Sequence, residues 1–220
     1  MLDGPHISMQ ADDIPKEIPI FPLSSALLLP RGNMSLNIFE PRYLTMVSDA
    51  LGTGRLVGMI QPLQNQESTS NPALCEIGCL GKITGFQETE DGRFLINLSG
   101  ICRFHISNEL EQKNGYRRAQ IIPMLSDLRP EDDSSIDRKQ LLDTFQRFLT
   151  THSMETDWDV IEQTENETLI TALCMMCPYG PAEKQALLEA DSLKERAETL
   201  IALTEIALAK NPQDSSSVLQ

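Results

Sequence analysis

The hydrophobic period changes once along this chain, near residue 124, and that change limits what the chain can fold into. Before it, apolar residues recur every second position, as in Phe94, Ile96 and Leu98, the pattern of a half-buried strand. After it they recur at helical spacing, as in Leu141, Leu142, Phe145, Phe148 and Leu149. Charge changes at the same place. Residues 1–123 hold 10 basic and 13 acidic side chains, whereas residues 124–220 hold 8 and 19, within a total of −14. The reading is an α+β chain: a flexible lead-in over 1–15, a β-rich part over 16–123, a helical bundle over 124–210, and a disordered tail over 211–220.

In the first part, Ile18 to Leu23 reads as an edge strand or the start of one, because Pro19 and Pro22 cannot donate to a ladder. Met34 to Phe39 alternates as a strand. Glu40-Pro41 opens a helix with Leu44, Val47 and Leu51 on one face, closed at Gly52-Thr53-Gly54. Arg55 to Gln61 reads as a buried strand and 64–72 as a polar loop. Residues 73–122 read as a β-meander. Asp91-Gly92 is its expected type I′ hairpin, Ser99-Gly100 its expected break, and Tyr116 to Ile122 its last strand. In the second part, Thr164 with Glu167 and Ser192 with Glu195 are expected capping boxes.

Most chemistry-bearing patterns are missing. Gly81-Lys82-Ile83-Thr84 lacks the first glycine and the hydroxyl of a phosphate loop. His6, His105 and His152 are scattered, and there is no G-x-S-x-G. Five cysteines at irregular spacing argue against a secreted disulfide framework. Cys75, Cys79, Cys174 and Cys177 could supply four thiolates to zinc, but the spacing favours small buried apolar side chains. No metal or cofactor is expected. There is no run of about 18 apolar residues to span a membrane. The opening MLDGPHISMQADD is acidic where a signal peptide needs a basic region, so a cytoplasmic location is expected. The net charge makes nucleic acid an unlikely partner.

Three segments occur together in order: Ile18 to Leu23, Leu36-Asn-Ile-Phe-Glu-Pro-Arg-Tyr-Leu44, and Gly100-Ile-Cys-Arg-Phe-His-Ile106. This set resembles the N-terminal substrate-binding domain of the Lon protease family. Pro178 to Glu189, followed by Leu193 to Ala197, resembles the helical stretch of stand-alone bacterial versions, with Tyr179-Gly180 a departure. The resemblance covers about residues 16–210. It implies a pseudo-barrel of the pseudouridine-synthase-and-archaeosine-transglycosylase (PUA) type with one helix, then a helical bundle. It also implies a recognition part for unfolded or tagged proteins, without the ATPase and Ser–Lys peptidase domains.

The expectation is therefore a non-catalytic module that binds unfolded or extended polypeptide, as an adaptor or accessory in protein quality control, with a protease as a second partner. RNA binding through a patch such as Arg117-Arg118, and an uncharacterised hydrolase, stand as alternatives. A β-module can hold an extended peptide at an edge or groove through main-chain hydrogen bonds. Phe21, Leu27, Leu28, Leu29, Phe39, Arg42 and Tyr43 are the candidate contact residues. For the leucines, core packing is the competing reading, and for Arg42 a local pairing beside a capping Glu40.

Overall fold

The computed structural model describes residues 9–24, 26–63, 71–152, 154 and 156–210. Most of the lead-in and of the 64–72 loop, and the whole tail, lie outside the described residues. Six strands form one sheet: β1 (Glu17–Pro22), β2 (Asn33–Ile38), β3 (Leu56–Ile60), β4 (Ile77–Glu88), β5 (Phe94–Lys113) and β6 (Tyr116–Pro123). The sheet order is β2-β5-β4-β3-β1-β6, and β6 also pairs with β5. The last pairing closes a five-stranded ring and leaves β2 outside it. The 20-residue length of β5 makes closure possible. Its first part pairs with β4 and β2, and its second part pairs with β6.

β1 is not an edge strand. It runs parallel to β3 and antiparallel to β6. Its prolines fit because the two ladders are staggered. Residues 17–20 pair with β6 and 20–22 with β3, so only Ile20 has a partner on both sides. Ser99-Gly100 does not interrupt β5 either. Gly100 instead lets the chain before β2 cross closely, since a Cβ there would lie 2.0 Å from the Leu29 carbonyl oxygen. Asp91-Gly92 turns the β4–β5 hairpin, but only Gly92 has positive φ (77°), so the loop is not type I′. The two-residue turn with positive φ at both positions is Asn114-Gly115 (52° and 87°), joining β5 to β6.

The inside of the ring is filled by Ile18, Ile20, Leu56, Leu80, Cys102, Phe104, Ala119 and Ile121, with Ile14 at one end. Gly58 and Gly78 make room for the Phe104 ring; a Cβ on either would come within 2.9 and 2.5 Å of it. A larger core lies outside the ring. Helix α1 (Pro41–Leu51) buries Tyr43, Met46, Val47 and Ala50 there. Leu44 and Leu51 are only half-buried, so the buried face is rotated from the expected one. Helices α2 (Arg138–Thr151), α3 (Trp158–Gln163), α4 (Asn166–Met176), α5 (Pro181–Glu189) and α6 (Leu193–Lys210) complete this core, with α2, α4 and α5 packed on α6.

The helix starts follow local chemistry in part. Asp137 accepts from the Gln140 amide and caps α2, and Asp157 caps α3. Ser192 accepts from the Glu195 amide at 3.2 Å, while Glu195 reaches back to the Asp191 amide at 3.0 Å. Thr164 ends α3 rather than capping α4; its hydroxyl donates to the Val160 carbonyl.

A buried ion pair joins the ring to the helices. Arg103 on β5 and Asp127, in the 3-10 turn Leu125–Leu128, are 1% and 3% exposed. The carboxylate accepts from Arg103 Nε at 2.9 Å, Nη2 at 2.8 Å and the Arg103 backbone amide at 2.8 Å. Arg103 Nη1 donates to the carbonyls of Leu188 and Ala190 at the end of α5. Removing one partner of such a pair strands the other charge, at a cost of about 3–5 kcal/mol. Asp127→Asn is therefore expected to lower unfolding free energy by about 3–5 kcal/mol, read from the shift of the urea midpoint at constant m.

Candidate polypeptide-binding surface

The open end of β2, β5 and β4 collects apolar side chains that the core does not absorb. In β2, Ile38 is buried, Met34 and Leu36 are half-buried, and Asn33, Ser35 and Asn37 are exposed. The strand ends where α1 must begin. Glu40 is extended (φ −71°, ψ 131°) and Pro41 takes the first helical position. Phe39 is the link between them and stands 63% exposed.

Register brings the other members alongside. Ile38 pairs with Phe94 and Phe94 with Glu88; Leu36 pairs with Ile96 and Ile96 with Phe86. Phe86 and Phe94 thus share one face, with ring centroids 4.9 Å apart and edge to face. Leu95, one residue on, faces the other side of the sheet. Phe86 and Leu95 are 44% and 41% exposed. The Arg93 guanidinium lies 6.0 Å from the Phe39 ring and pairs with Asp91. Single exposed apolar residues are ordinary, but a cluster at one end of a sheet marks a surface for contact.

Five of the seven candidate contact residues lie in the core instead. Phe21 and Tyr43 stack on each other with centroids 4.3 Å apart, and burial pushes the Tyr43 phenol pKa up. Leu27, Leu28 and Leu29 are at most 2% exposed, wedged against β4 and β5 where Gly81 and Gly100 leave room. Phe39 and Arg42 do face solvent at the same end. Arg42 pairs with Glu40 at 2.8 Å and lies over the Tyr43 ring. Glu40 sits at the cap position, but its carboxylate makes no cap hydrogen bond and serves Arg42.

The other charged features are occupied by their neighbours. Arg117 donates two hydrogen bonds to the Glu109 carboxylate and one to the Pro72 carbonyl, and Arg118 pairs with Glu17. A cleft of about 300 Å³ between β1, the end of α1 and the β5–β6 turn holds Asp49, Lys113 and Tyr116. There the Tyr116 hydroxyl donates to Asp49 at 2.7 Å. Burial, helped by that bond, raises its pKa to about 12. The thiols are free. Burial raises Cys102 and Cys174 to about 12 and Cys177 to about 11, so the C-x-x-C is held as thiol rather than thiolate.

The family model for the ATP-dependent protease La (LON) substrate-binding domain matches residues 17–205. The Lon protease of Parabacteroides distasonis is 29% identical over 195 residues, which is 84% of this chain and 23% of that protein. The Lon protease of Flavobacterium johnsoniae is 26% identical, over 87% of this chain and 24% of that protein. The chain thus spans about a quarter of the length of these curated relatives. Among solved structures, a Lon N-terminal domain protein from Xanthomonas campestris superposes with a TM-score of 0.60 at 24% identity, covering 84% of this chain and 97% of that one. The N-terminal domain of a Mycobacterium avium complex Lon protease gives 0.61 at 16% identity, covering 86% and 98%.

Two outcomes follow from these placements. Phe39→Ala is expected to change unfolding free energy by no more than about 0.5 kcal/mol. Phe21→Ala, which empties a core position, is expected to cost about 3–5 kcal/mol by the same urea titration. In a thiol titration of the native chain near neutral pH, half-buried Cys75 is expected to react first and alone. All five thiols should react after denaturation.

Proposed function

Because the chain belongs to the LON substrate-binding domain family, we propose that it binds segments of other polypeptides at the apolar end of β2, β4 and β5, and that it performs no bond cleavage itself. The β-rich part, 16–123, carries the contact, and the helical part, 124–210, braces it. The observation that carries this reading is the exposure of Phe39, Phe86 and Leu95 at this end of the sheet, with Phe86 beside Phe94 on one face and Leu95 on the other. Each large apolar side chain covered there by a partner contributes about 1.5–3 kcal/mol. Such contacts suit unfolded chains, which expose the apolar residues that folded ones bury. Arg42 and Arg93, each already paired with an acid, frame the cluster without presenting a bare charge.

In this reading the module presents clients to a protease as an adaptor or accessory in protein quality control. A cytoplasmic setting fits that role; among the described residues no helix is long and apolar enough to cross a membrane. The test is fluorescence anisotropy with a labelled, permanently unfolded protein, such as reduced and carboxymethylated α-lactalbumin. The chain is expected to bind it, and native α-lactalbumin to compete poorly. Phe39→Ser combined with Phe86→Ser should weaken binding by at least about tenfold while leaving the urea midpoint close to that of the parent. Equal binding by parent and double variant would move the contact elsewhere.

A further inference from the structure

Among the described residues, β2 is the one strand of the six with a single neighbour. Exposed edges of this kind are normally blunted by charge, proline or a bulge, because their free amides and carbonyls template another strand. β2 has none of these. Its sequence, Asn33-Met-Ser-Leu-Asn-Ile38, carries no charge and no proline, and its pairing with β5 runs without a register shift. The direction of its free groups follows from the ladder. The Gly100 amide donates to the Gly32 carbonyl. Antiparallel bonding alternates residue by residue, so Met34, Leu36 and Ile38 exchange bonds with β5, and Asn33, Ser35 and Asn37 point their backbone groups to the open side. The strand ends at Ile38, and Phe39 follows it.

The charged groups near this edge are largely partnered by their neighbours. At its start, Arg31 pairs with Glu167 and donates to the Arg129 carbonyl, while Asp133 accepts from Asn166 beside them. At its finish, Arg93 pairs with Asp91, and Glu88 lies two strands over from Ile38 on the face of Phe94. With a net charge of −14, two copies of the chain repel one another, whereas a basic segment is drawn in.

We propose that β2 receives an extended segment of another polypeptide as an added strand, and that the preferred segment carries apolar side chains at every second position with Lys or Arg between them. This rests on the polypeptide-binding reading above and gives it a mode and a sequence preference. Backbone groups of Asn33, Ser35 and Asn37 supply the hydrogen bonds. The apolar side chains of the segment extend the face of Met34, Leu36 and Phe94, and its cations are drawn by the net negative charge of the chain.

The probe is a fluorescein-labelled, end-capped octapeptide of alternating Lys and Val, titrated with the full chain and read by anisotropy. Its binding is expected to weaken at least about tenfold with Ser35→Pro, which removes an outward amide and spares the β2–β5 bonds, and to be unchanged with Ser35→Ala. N-methylation of the four central peptide residues should weaken it by a similar factor. This arm decides alone if Ser35→Pro fails to fold by circular dichroism. An alternating Glu and Val octapeptide should bind at least about tenfold more weakly at low salt, with the gap narrowing as salt rises. Binding indifferent to both Ser35→Pro and N-methylation overturns the added strand. Binding of unfolded α-lactalbumin without binding of the octapeptide overturns this inference and leaves the recognition reading intact, whereas binding of neither removes both. A dimer in sedimentation that Ser35→Pro dissolves makes a second copy the occupant and also overturns it.

Discussion

The pairing of Arg103 with Asp127 holds the molecule together. An arginine 1% exposed would be prohibitive alone, because burying an unpaired charge costs far more than any single contact returns. Here the guanidinium is saturated by one carboxylate and by carbonyls that end α5. Those carbonyls are the negative end of the helix dipole and need donors in any case. Arg196 on α6 repeats the device, donating to the carbonyls of Leu187 and Ala190 and lying beside Glu131. Ring, connecting segment, α5 and α6 therefore share one polar joint. None of the four can move away without exposing or stranding a charge.

That joint explains where the molecule can be open. Phe94 lies nine residues before Arg103 on β5, about 30 Å along an extended strand. The rigid joint is at the middle of β5, and the exposed aromatic cluster is at its start. Ring closure gives β1, β3, β4 and β6 a neighbour on each side over part of their length and leaves β2 as an outer strand with one neighbour. A closed ring has no edge to offer; the added β2 restores one, next to the apolar cluster.

The sequence made the α+β plan legible because the period change near residue 124 is a direct image of it. It made single turns less legible. Both Asp91-Gly92 and Asn114-Gly115 are hairpin signals, and only tertiary pairing decides that the second is the tight one. Glycine was ambiguous for the same reason. Gly100 resembles a strand break, yet the close approach of the Leu29 carbonyl is what requires it. Leu27 to Leu29 could face either way, since a run of three apolar residues has no period. At the candidate surface, Phe39 and Arg42 stood out because they flank the Pro41 helix start. Phe86 and Leu95 were missed although a signal existed. Phe94-Leu95-Ile96 places three apolar residues in a row within an alternating strand, so one must face outward. Asp127 offered no local signal; an acid in a short turn becomes structural only when Arg103 folds over it.

The proposed mode of contact has a consequence for selectivity. A strand added to β2 would be held by backbone groups, which every residue except proline supplies, so affinity would depend weakly on sequence. Discrimination would come from side-chain direction. The period of two would put every second residue of the guest against the apolar face of Met34, Leu36 and Phe94, and the intervening ones toward solvent. Folded proteins seldom present six free residues of strand, because their own sheets use them. An edge of this length beside exposed aromatic residues would thus separate unfolded from folded chains by backbone availability, before any side chain is read. Net hydrogen-bond gains of about 0.5–1.5 kcal/mol each would keep a single contact reversible.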